Sequence, residues 1–163
     1  MVFWTILEGL GLGLFLVVVC AIAIRSSAVP LVHLYHKDVQ ARCVELGLTT
    51  PEKIMRRKIL LKICCLPVYL AYVLVFVYAV NGARGFWPGF WQIFVILSVL
   101  NLVDRLFIDA WWVGHTRAWT IPGTEDLKPY ISDSDRLHKW LAGTVGFAVV
   151  SAALAGLMTL LVH

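Results

Sequence analysis

The sequence predicts an all-α integral membrane bundle of four transmembrane helices, with an amphipathic cytoplasmic helix between the first and second spans. Three observations predict it. Apolar residues fall into four blocks, 2–24, 59–80, 86–108 and 140–162. Each is long enough for the ~20 residues a helix needs to cross roughly 30 Å of hydrocarbon. Overall, 60% of the chain is hydrophobic, above the roughly 45–50% usual in soluble domains. The basic residues are also partitioned: of fourteen Lys and Arg, only Arg84 lies in the second connection or before the first span. The positive-inside rule then puts the first and third connections in the cytoplasm and both termini outside it. Finally, Trp91 and Trp111 lie twenty residues apart, about 30 Å along a helix, and mark the two interfaces of the third span.

The whole chain, 1–163, reads as a single domain. The first span has no positive segment before it and an apolar part too long for a typical cleavable signal peptide. It contains Gly9-x-x-x-Gly13, a spacing that lets helix backbones approach closely in lipid. This GLGLG stretch follows no strand, so it is not a dinucleotide loop. Ala148, Ala152 and Gly156 repeat the small-residue spacing in the fourth span. Internal packing and a homo-oligomer interface are both open for these faces.

The first connection, 25–58, is too patterned for a linker. Leu31, Val32, Leu34, Val39, Val44 and Leu46 recur as on one face of a helix closed by Gly47. Such a face can lie on the bilayer or against the bundle. The stretch TTPEKI then carries a helix start, with a threonine cap, Pro51 in the first turn and Glu52 three residues after Thr49. Pro67 is expected to kink the second span. In the third connection Pro122-Gly123 marks a turn, and Ser132 with Asp135 reads as the cap of the fourth span.

Against this background the stretch NLVDRLFIDAWWVGH stands out. On the tryptophan ruler Asp109 sits at the inner interface, and Asp104 and Arg105 roughly 10 Å deeper. Charges at that depth face a bundle interior or a watery cavity. The bland reading is mutual neutralisation, with Arg105 reaching Asp109 at i,i+4. The sharper reading is a site. Asp104, Arg105, Asp109 and His115 are its candidate acid/base groups. His33 and His36, three residues apart, are candidate ligands for a divalent metal completed by Asp104 or Asp109. Cys43 is a weak candidate nucleophile. Cys20, Cys43, Cys64 and Cys65 contain no CxxC pair and suggest no disulfide framework. Glu8 lies near the opposite face and cannot join this group. Arg56-Arg57-Lys58 reads as an anchor to anionic headgroups.

Three functional classes follow. The leading expectation is a subunit or accessory component of a membrane transport complex in the plasma (inner) membrane, self-associating or bound to another membrane protein. A membrane-embedded enzyme acting on a lipid-soluble substrate, with or without a divalent metal, is the second. A small ion or solute transporter using Glu8, Asp104 and Arg105 is the third. The basic residues serve topology and the lipid bilayer, so no nucleic-acid partner is expected.

Overall fold

A computed structural model describes residues 2–161, and among these the regular elements are all helical, with no strand. Helix α1 is Val2–Ala23, and a 3-10 turn, Val29–Leu34, leads to α2, Lys37–Glu45. Helix α3, Pro51–Leu74, continues as a π-helical segment, Val75–Val80. Helix α4, Phe86–Leu102, also passes into π-helix, Val103–Trp112, and ends in the turn Val113–His115. Two 3-10 turns, Arg117–Trp119 and Glu125–Leu127, precede α5, Asp133–Leu161. Three helical stretches, Val2–Ala23, Pro51–Val80 and Asp133–Leu161, are long and apolar enough to cross a membrane. Residue 162, the end of the fourth apolar block, lies outside the described residues.

Helix α4 is the axis of the bundle. It packs parallel to α1, where Gly9 lies against Val99 and Gly13 against Val103. Between lipid-facing helices there is no water to exclude, so close backbone approach supplies the dispersion contact that holds them. A Cβ on Gly9 would lie 2.6 Å from the Val99 Cβ. The other face of α4 packs on α5, where Asn101 Nδ2 donates to the Trp140 carbonyl at 3.2 Å and fills the space beside Gly143. The Gly9–Gly13 face is therefore consumed inside the bundle. Ala148, Ala152 and Gly156 lie off the α4 contact and stay half-buried. Helix α3 meets α4 mainly through Val73, Val77 and Tyr78, at the end remote from the basic residues.

The helix starts follow their sequence signals, with one shift. Thr50, not Thr49, caps α3, accepting from the Lys53 amide at 3.3 Å, and α3 runs continuously through Pro67. Ser132 Oγ accepts from the Asp135 amide at 3.2 Å, so α5 starts two turns before its apolar block.

The first connection differs from the single amphipathic helix expected. It breaks at Tyr35 and His36, whose extended backbone ends the 3-10 turn and caps α2. The cause is tertiary. Tyr35 stacks on Tyr130 with ring centroids 4.7 Å apart and donates from its hydroxyl to the Trp119 carbonyl at 2.8 Å. Trp119 is fully buried. Enclosing an indole removes 150–250 Å² from solvent, roughly 4–6 kcal/mol of burial, more than one interrupted helical turn costs. The first and third connections therefore close over the basic end of the bundle as one apolar cluster with Cys20, Ile24, Ile108 and Val113.

Candidate functional site

At the basic end, α3, α4, α5 and the first connection line a half-open cavity of about 330 Å³. His33, Leu34 and Tyr35 form one wall, and Lys58, Leu61 and Lys62 of α3 another. Asp104, Arg105 and Asp109 of α4 and Lys139 of α5 complete it. The three charges singled out in the sequence thus share one cavity wall.

The π-helical winding of Val103–Trp112 places them there. In a regular α-helix, residues five apart are separated by about 140° around the axis. Hydrogen bonds that close at i→i+5 bring such residues nearly above one another. Asp104 and Asp109 are five apart, and in π-helix both reach Arg105. Arg105 Nη2 lies 2.7 Å from Asp104 Oδ2, and Nη1 pairs with Asp109 Oδ2. Side-chain exposure falls from 27% at Asp104 through 21% at Arg105 to 6% at Asp109. Asp109 is therefore the member that most needs its partner, because an unpaired buried carboxylate is costly.

The histidines separate. His33 lines the cavity, and burial pushes its imidazole below the ordinary 6.5; the Pro30 carbonyl opposes this, and Lys58, Arg57 and Lys62 reinforce it. His36 turns away, with Nε2 2.9 Å from Asp135 Oδ2. His115 lines a neighbouring cavity of about 450 Å³ that shares Asp109, and its Nδ1 lies 3.1 Å from the Ala110 carbonyl. His33 and His36 thus do not form a shared ligand face. Among the described residues no three His, Cys, Asp or Glu side chains converge as a metal site would require. Cys43 is fully buried in the apolar cluster, and burial pushes its thiol up, which disfavours the thiolate a nucleophile needs.

Sequence reasoning missed Tyr35, Lys58, Lys62 and Lys139 as lining residues. The signal for two of them was present: Lys58 and Lys62, four residues apart, share one face of α3. At the far end Glu8 accepts from Asn81 Nδ2 at 3.1 Å, and its carbonyl accepts from the Tyr72 hydroxyl at 2.9 Å. Fully buried Leu12, Val77, Ile93 and Ile96 belong to the apolar cluster of that half of the bundle. Comparison with protein-family models, with curated proteins and with solved structures found no match.

Proposed function

We propose that the chain is a four-span membrane protein of the plasma (inner) membrane, with both termini outside, whose working site is the cavity around Asp104, Arg105 and Asp109. On this reading the cavity takes a lipid-soluble substrate at the cytoplasmic interface, as a membrane-embedded enzyme would. The observation that carries it is the direction of the charges. A docking or gating surface would present Asp104, Arg105 and Asp109 outward, but Asp109 is buried and Asp104 and Arg105 half-buried, lining a half-open cavity with the exposed Lys58, Lys62 and Lys139. Asp104 and Asp109 are the candidate proton-transfer groups, Arg105 orients them, and His115 borders Asp109 from the adjoining cavity. The third span, which completes the four, is the α4 helix with its π-helical extension, flanked by Trp87 at one end and Trp111 and Trp112 at the other.

A transport path is less well supported, since fully buried apolar side chains lie between the Glu8 end and the cavity end of the bundle. The subunit reading keeps one observation in its favour. The Ala148, Ala152 and Gly156 face of α5 is only half-covered, and a second membrane helix could pack on it. Replacing Ala152 by Leu should then dissociate an assembly detected by cross-linking in membranes.

Two measurements test the main reading. A reporter placed after His163 should be active only outside the cytoplasm, and one within 128–135 only inside; the reverse pattern would move the cavity to the other compartment. Native mass spectrometry of the detergent-purified chain should show a bound amphiphile. The apolar triple variant Asp104→Leu, Arg105→Leu, Asp109→Leu should fold without it. A folded triple variant that keeps the adduct at full occupancy would sink the reading.

A further inference from the structure

Resting on that reading, we propose that the cavity recognises a phosphate-bearing headgroup of a membrane amphiphile, held by Lys58, Lys62 and Lys139. Four cationic side chains, Lys58, Lys62, Arg105 and Lys139, line it against two carboxylates, Asp104 and Asp109. Both carboxylates are taken by Arg105. Among the described residues no ion pair engages Lys58, Lys62 or Lys139, and Lys139 Nζ has only the Leu34 carbonyl at 3.3 Å. The cavity is thus left two charges positive with His33 neutral, and its free cations come from two helices that face each other across it.

A donor without an acceptor points the same way. Arg105 Nε, on a cavity-lining residue, is buried with no hydrogen-bond partner. A buried N–H is normally satisfied. Here the group that would satisfy Arg105 Nε and the lysines together is an acceptor-only anion with oxygens facing different walls, which describes a phosphate better than a single carboxylate. Lysine suits this role as a movable point charge. The cavity is also too large for a bare phosphate. Its lining includes Leu34 and Leu61, and Arg105 lines a second, mainly apolar groove of about 340 Å³ shared with Leu102, Leu106, Ala110, Arg136, Leu137 and Trp140. A charged pocket and a mainly apolar groove that share Arg105 as a lining residue fit a headgroup with its chain attached. Free phosphate would use only the first.

The test uses the full chain in neutral detergent, with dihexanoyl phosphatidic acid, dihexanoyl phosphatidylcholine and inorganic phosphate as probes. Thermal unfolding and native mass spectrometry read binding. Phosphatidic acid should form a one-to-one adduct and raise the unfolding temperature, with phosphatidylcholine at least about tenfold weaker. The variant Lys58→Gln, Lys62→Gln should lose about tenfold or more in phosphatidic acid affinity. The control Lys53→Gln, Arg56→Gln removes the same charge from α3 outside the cavity and should bind as the parent does. Equal losses in both variants would mean a diffuse electrostatic attraction and overturn the site. Inorganic phosphate competing as well as the lipid would overturn the amphiphile. Phosphatidylcholine binding equally well, and lost in the apolar triple variant, would overturn the anionic headgroup while leaving the lipid-substrate reading intact. No lipid adduct of any kind would overturn both.

Discussion

The Asp104–Arg105–Asp109 set makes a quantitative prediction about charge in this bundle. Arg105 is the one side chain paired with both carboxylates. Arg105→Leu leaves Asp109, 6% exposed, and Asp104, 27% exposed, without that counter-ion. Removing one partner of a buried pair costs about 3–5 kcal/mol, because the remaining charge keeps its desolvation penalty. Asp104 is open enough to the cavity to recover hydration, so the expected cost lies near the low end, about 3 kcal/mol. Lys139 lines the same cavity and offsets part of the loss at Asp109. Replacing Asp104 and Arg105 together by Leu would not repair this, since Asp109 would still be stranded. The triple Leu variant removes every charge and every desolvation penalty at once. It should return to within about 1 kcal/mol of the parent, or exceed it. Unfolding by SDS in mixed micelles, followed by tryptophan fluorescence, measures both. A triple variant as unstable as Arg105→Leu would refute the reasoning, because the set would then stabilise the bundle in its own right and would need no function to explain its presence.

Three further outcomes follow from the same packing. Gly9→Ala gains about 1 kcal/mol of helix propensity, but its new Cβ meets the rigid branched carbon of Val99 at 2.6 Å. Overpacking costs about 1–3 kcal/mol, so a net loss of up to about 2 kcal/mol is expected in the same titration, whereas Gly146→Ala, which meets nothing within 4 Å, should stabilise. Equal effects at the two glycines would show that α1 and α4 are not packed at this distance. Tyr35→Phe removes the hydroxyl that donates to the buried Trp119 carbonyl, for an expected cost of about 1–3 kcal/mol in thermal unfolding; a change too small to measure would mean that carbonyl finds another donor. His33 is held below its ordinary 6.5 when folded, so between its folded and unfolded values the unfolded chain binds more protons. Stability should be full above about pH 6.5 and fall as pH drops through that window. His33→Gln should flatten that part of the profile, with Lys58, Lys62, Arg105, Lys139, Asp104 and Asp109 still facing the position; an unchanged slope would assign the acid sensitivity to other groups.

Much of the molecule was legible because lipid imposes strong demands. A helix crossing hydrocarbon needs a continuous apolar block, and the blocks were plain. Three of the four coincide with helices long and apolar enough to span, while the third lies in a helix that changes its winding midway. The cap at Ser132, and to within one residue the threonine cap of α3, were legible because a hydroxyl beside a helix start acts locally. The break at Tyr35 was not. Its cause is a carbonyl 84 residues away, and no window of helical periodicity contains that partner. Lys58, Lys62 and Lys139 were misjudged for a different reason. A lysine at the end of a span serves equally as a headgroup anchor or as the lining of a cavity, and only the placement of α3 relative to α5 separates the two.

The least legible feature matters most to the site. Hydropathy reports which residues are apolar but not whether hydrogen bonds close at i→i+4 or i→i+5. Read at 3.6 residues per turn, Asp104 and Asp109 face different directions, and Arg105 can serve only one of them well. The π-helical segment Val103–Trp112 turns both carboxylates onto Arg105. That juxtaposition then occupies the arginine and leaves the lysines of α3 and α5 without carboxylate partners. The excess positive charge of the cavity follows from its four cations and two carboxylates, and the winding decides which cation the carboxylates meet. A sequence change that restored α-helical winding there would redistribute it without altering a single charged residue.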